Sequence, residues 1–160
     1  MKTNGFTLIE ILIVIGMIAI LSGVVLVAVN PVRQFAQARN TQRTANVSAI
    51  LNAIGERIVD NKGVFQGDDG SCSAALPQSA TVMKSGGGYD IRSCLVPTYI
   101  SELPFDPLTG SNACDGGASC KSYDTGYTVR QDSETLRISV CAPEGAEPAI
   151  EGSSEMCLTR

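Results

Sequence analysis

Residues 6–29 read FTLIEILIVIGMIAILSGVVLVAV, 24 positions in which Glu10 is the only charge. As a helix this run would reach roughly 36 Å, enough to cross a hydrocarbon layer of about 30 Å. A core helix of a globular domain is the plain alternative, but such helices seldom stay apolar on every side for this length. A secretory signal peptide fits less well. Its apolar region would run about 7–15 residues and end at a small-residue cleavage site. Here the run is longer, and Asn30-Pro31 leads into another helical pattern. The segment therefore reads as a retained membrane span. Gly16, Ala19 and Gly23 fall on one of its faces, where close helix approach is possible.

The rest of the composition narrows the function. The chain has 160 residues, no His and no Trp, which removes the commonest general base and a leading metal ligand. No nucleophile–base pair or ligand cluster can be named, so we expect no enzyme, no cofactor and no metal site. From residue 61 onward 7 basic and 13 acidic side chains give a balance of −6. That balance disfavours nucleic acid as a partner, because phosphate contacts call for a basic stripe.

All six cysteines, Cys72, Cys94, Cys114, Cys120, Cys141 and Cys157, lie beyond the apolar run. An even number in a small, glycine-rich region suggests three disulfides and an oxidising compartment. Arg33, Arg39 and Arg43 follow the span and would by themselves keep that end in the cytoplasm. The cysteines outweigh them and place the C-terminal part outside. Six cysteines allow 15 connectivities, and the sequence does not choose among them. Pairing of neighbours in chain order would give Cys72–Cys94, Cys114–Cys120 and Cys141–Cys157.

Glu10 needs its own account. A carboxylate within a membrane helix costs about 2.5–3.5 kcal/mol on insertion scales, so it normally has a partner or a role. It can reach the interface from a position four residues after Phe6. Otherwise it needs a positive group at similar depth, and a newly made amino terminus, with a pKa of about 8, would supply one.

Gly5-Phe6-Thr7-Leu8-Ile9-Glu10, after a very short leader and before the apolar run, resembles the processing site of type IV pilins and of the pseudopilins of type II secretion. The resemblance is specific over the first 30 residues. It implies that a prepilin peptidase cuts between Gly5 and Phe6 on the cytoplasmic side and methylates the Phe6 amine. It also implies that Glu10 of one subunit pairs with the Phe6 amine of a neighbour as a filament assembles. Implied partners are the inner membrane before assembly, the assembly platform there, and further copies of the chain in an extracellular filament. One departure is Pro31, since many members of the family carry a helix-breaking proline a few residues earlier, near Val27. Residues 99–107 resemble the loop before the sheet in major pseudopilins. Some of those bind calcium, for which Asp106, Asp115 and Asp124 would be at hand here, but no ordered ligand loop is visible.

The expected fold is α+β. A leader at 1–5 precedes a transmembrane or filament-core half-helix at 6–30 and an amphipathic half at 31–60. Together the halves would form one helix of roughly 80 Å, gently kinked near Pro31. Val47, Ile50, Leu51, Ile54 and Ile58 recur at helical spacing, with Arg43, Asn46, Asn52 and Arg57 on other faces. A head at 61–160 follows. Its stretch 61–126 reads as a long loop region with short elements, held together by cross-links. A hairpin at 126–141, with strands at 126–131 and 135–141, places Tyr127, Val129, Leu136, Ile138 and Val140 on one face. That face is expected to lie on the helix stripe. The expected function is the major subunit of a type IV pilus. The alternatives are a pseudopilin of type II secretion and, less well supported by Gly5, Phe6 and Glu10, a membrane-anchored monomeric binding module.

Overall fold

The computed structural model describes residues 5–28, 30–67, 70, 72, 74–113, 120 and 122–160. Its elements are helix α1 (Leu8–Ala28), helix α2 (Pro31–Asp60), strand β1 (Thr81–Lys84), the short helix α3 (Arg92–Leu95), and strands β2 (Ser111–Asn112), β3 (Tyr123–Gln131), β4 (Ile138–Ala142) and β5 (Met156–Thr159). The chain divides into two units, Met1–Phe35 and Ala36–Arg160.

In the first unit α1 carries apolar side chains all round, and the stretch Leu8–Val25, of mean hydropathy 2.8, has none of its residues buried by the rest of the chain. Helix α2 starts with a capped turn. Asn30 Oδ1 accepts from the Arg33 N–H at 3.2 Å, and Pro31 occupies the first helical position, where no N–H is needed.

The second unit packs α2 on an antiparallel five-stranded sheet of order β1-β3-β4-β5, with β2 also on β3. Asp124 of β3 faces Lys84 on one side and Ser111 on the other, so β2 lies across β3 from β1. Strand β3 alternates as a half-buried strand should, with Tyr123, Thr125, Tyr127 and Val129 turned into the core. Val129 faces Val140 and Gln131 faces Ile138. The helix stripe Val47, Ile50, Leu51 and Ile54 joins Tyr127, Val129, Ile138 and Val140 in one hydrophobic cluster, with Ile58 at its margin.

Several details depart from the sequence reading. Leu136 is not on the strand face: it sits in the turn between β3 and β4 at φ 57° and is 66% exposed. Asp132 organises that turn, its Oδ1 accepting from the N–H groups of Glu134 and Thr135 and its carbonyl from Leu136 N–H. The connection therefore runs through residues 132–137, and β4 begins only at Ile138. The short elements expected within 61–126 are β1, α3 and β2; what the sequence did not show is that Phe65, Leu76, Met83, Ile91, Leu95 and Leu103 from this stretch enter the core. The C-terminal strand β5 forms the edge beside β4, with Cys141 opposite Cys157.

Disulfides join Cys72 to Cys94 and Cys141 to Cys157. The expected Cys114–Cys120 pair involves Cys114, which lies outside the described residues. The first bond ties the strand-poor stretch to α3, and the second closes the loop between β4 and β5.

Candidate assembly segment and the charged cluster of the head

The N-terminal segment is built from Gly5 to Glu10. Gly5, Phe6 and Thr7 are non-helical and α1 opens at Leu8. Thr7 is its cap. The Thr7 N–H donates to Glu10 Oε2 at 2.9 Å, the Thr7 hydroxyl donates to the same oxygen at 2.8 Å, and the Glu10 N–H lies 3.3 Å from the Thr7 hydroxyl oxygen. This is a capping box, in which a threonine and a glutamate three residues on satisfy each other's amide groups. Sequence reasoning sought a positive partner for Glu10 and missed Thr7, although the Thr-x-x-Glu spacing was the signal for it. Phe6 is 83% exposed, and a side chain added at Gly5 would meet nothing within 4 Å. The bond between them is therefore open on both sides. Gly16 and Gly23 likewise have open space where a side chain would be.

The head contains a second constellation that the sequence did not foretell. Arg43, expected on a polar face, is fully buried. Its Nε donates to Asp106 Oδ2 at 2.6 Å and its Nη1 to Glu147 Oε1 at 2.6 Å. Arg39 grips the same Glu147 with two bonds, Nε to Oε1 at 2.7 Å and Nη2 to Oε2 at 2.6 Å. Asn40 donates to the Gly145 carbonyl, and Asn46 to the Tyr127 hydroxyl and the Phe105 carbonyl. The Asn46 amide is thus engaged in the fold.

The charges behave accordingly. The hydrogen bonds from Arg39 hold the Glu147 carboxyl down at about 2, against its burial and with help from Arg43. Burial would raise the Asp106 carboxyl, but Arg43 and the N–H groups of Leu108 and Thr109 keep it below its ordinary value. For Arg43 burial works against the charge, and Asp106 and Glu147 outweigh it. Both oxygens of Asp106 are therefore occupied by donors, which removes it as a calcium ligand. Asp124 Oδ1 accepts from Gly126 N–H, and Asp115 lies outside the described residues.

Arg57 is the second correction on α2. It is 1% exposed and donates to the carbonyls of Phe65, Cys94 and Gln66 at 2.7, 2.9 and 2.9 Å. The rings of Phe65 and Tyr99 lie 5.6 and 5.8 Å from its guanidinium carbon. It therefore pins residues 65–66 and the end of α3 to the helix. Arg92 pairs similarly with Glu102.

Among known proteins, a family model described as the prokaryotic N-terminal methylation motif matches residues 1–26. No curated protein and no solved structure matches the chain. The match covers the leader and most of α1. The N-terminal segment is a type IV pilin-like class III leader joined to an apolar helix. The motif and the apolar helix behind it are consistent with a subunit of the pilin or pseudopilin type.

Proposed function

We propose that the chain is the major subunit of a type IV pilus. A prepilin peptidase cuts it between Gly5 and Phe6 and methylates the Phe6 amine. The inner membrane holds it through α1 until the assembly platform adds it to a filament, in which Glu10 pairs with the Phe6 amine of a neighbouring copy. The disulfide-bonded head then lies outside the cell.

The observation that carries this reading is the state of α1. The helix begins two residues after Phe6, is apolar on every side, and none of the stretch Leu8–Val25 is buried by the rest of the chain. That surface needs a cover from outside the chain, first acyl chains and then other copies of the same helix. Both environments reward apolar area, so one sequence serves both. The Thr7–Glu10 box spares the carboxylate part of its cost before a neighbour's amine arrives.

The test is Glu10→Ala in cells that assemble the wild-type chain. The variant is expected in the membrane fraction as a mature chain beginning at methylated Phe6, with no filaments sheared from the cells. Normal filaments from that variant would remove the role given to Glu10. A Gly5→Arg variant is expected to accumulate as uncut precursor, and an unchanged mature mass would contradict the assigned bond.

A further inference from the structure

The loop between Cys141 and Cys157 does more than join two strands. It carries Glu147, the carboxylate that takes three hydrogen bonds from Arg39 and Arg43 of α2. It also carries the Gly145 carbonyl that accepts from Asn40, and Met156, whose sulfur lies 3.7 Å from the Thr44 hydroxyl. This one loop thus contacts Arg39, Asn40, Arg43 and Thr44 of α2, while Arg43 also bonds Asp106 of another loop.

The loop is shaped to present that carboxylate. The Glu147 carbonyl accepts from Ile150 N–H at 3.0 Å and from the Ser153 hydroxyl at 2.7 Å. Gly145 packs so closely on the returning chain that an added Cβ would stand 2.8 Å from Met156 Cγ and 3.0 Å from Ser154 O. Its far end rests on β5, followed by Arg160, which exchanges backbone bonds with Ile138 and donates to Asn52 Oδ1 of α2. Strand β5 has four residues, three of them exposed, and pairs only with β4 at the sheet edge. A short edge strand of this kind is marginal without a further fastening. The Cys141–Cys157 bond supplies it, bridging directly opposed residues.

We propose that the Cys141–Cys157 disulfide closes a strap that, through Glu147, holds residues 39–44 of α2 to the head, and that opening the bond releases this stretch of helix. The release is graded. Arg43 keeps Asp106, which belongs to a different loop, whereas Glu147 is the carboxylate that Arg39 grips.

Trypsin reads this directly, because it cuts after Arg39 and Arg43 only when the helix there opens. The full chain in detergent micelles is digested briefly and the cleavage sites are quantified by mass spectrometry. A Cys141→Ser, Cys157→Ser variant is expected to be cut after Arg39 about tenfold faster or more, with a smaller rise after Arg43. A Cys72→Ser, Cys94→Ser variant should instead loosen near Arg92 and leave the Arg39 rate unchanged. Glu147→Gln, with both disulfides intact, should also speed cleavage after Arg39. An unchanged Arg39 rate in the Cys141/Cys157 variant, or equal rises in both cysteine variants, would overturn the proposal. If the Cys141/Cys157 variant fails to fold, seen as equally fast cleavage after Arg57, Glu147→Gln decides: an unchanged Arg39 rate there overturns it.

Discussion

Replacing Glu147 by glutamine isolates the buried charge cluster at nearly constant shape. The carboxylate is 4% exposed and takes three bonds of 2.6–2.7 Å from two guanidinium groups. Its carboxyl is lowered from an ordinary 4.5 to about 2, first by Arg39, against burial, and then by Arg43. At about 1.4 kcal/mol per unit that drop is worth about 3 kcal/mol. Arg39 is 27% exposed, so solvent screening trims the contribution to about 2 kcal/mol. The sign follows from the direction. A carboxyl depressed in the folded state stabilises fully above about pH 4.5 and loses that contribution as pH falls toward about 2. Urea unfolding of the full chain in detergent, followed by tyrosine fluorescence, gives the comparison. Glu147→Gln should be less stable than the wild type by about 2 kcal/mol at pH 7, and the gap should close between pH 4.5 and 2. A variant as stable as the wild type at pH 7, or a gap that persists undiminished at pH 2, would refute the reasoning.

Other outcomes follow from the same packing. Gly110→Ala would place a Cβ 2.6 Å from Asp106 N and 2.7 Å from Asp106 O. Backbone must move there, so a loss of about 1–3 kcal/mol in urea unfolding is expected, and a neutral result would contradict the close approach. Arg57→Leu would leave the carbonyls of Phe65, Cys94 and Gln66 without their buried donor, at a cost of about 2–4 kcal/mol. Faster hydrogen exchange around residues 61–67 should accompany it, and unchanged exchange would count against the pinning role. Thr7→Val removes both hydroxyl contacts of the capping box. It should weaken the first turn of α1 by about 1 kcal/mol, read as faster amide exchange at Ile9 and Glu10; equal exchange would mean that the box contributes nothing.

The parts of the fold that sequence reading reached are those governed by local pattern. The charge-free run after Glu10, the Val47/Ile50/Leu51/Ile54 spacing and the alternation of Tyr127 and Val129 each declare their environment within a few residues. The missed features depend on partners far along the chain. Arg43 meets residues 63 and 104 positions away, and Arg39 one 108 positions away. Read locally they are polar residues on an amphipathic helix or charges bearing on membrane orientation. In the fold they are the buried hold between α2 and two loops. Strands β1 and β5 are four residues each, too short to show a period, and they exist because β3 and β4 offer them edges. Leu136 looked like a strand residue by alternation, but Asp132 captures the turn and forces it outward. The Thr7 contact was local and legible, but the search for a charge partner overlooked a cap.

The central claim is that Phe6 becomes the first residue of a subunit polymerised through α1. Appendages sheared from intact cells, imaged by electron microscopy and identified by mass spectrometry, test it most directly. The account predicts long fibres made mainly of this chain, beginning at methylated Phe6. Mature chain confined to the membrane fraction, with fibres lacking it, would contradict the major-pilin reading and favour a pseudopilus.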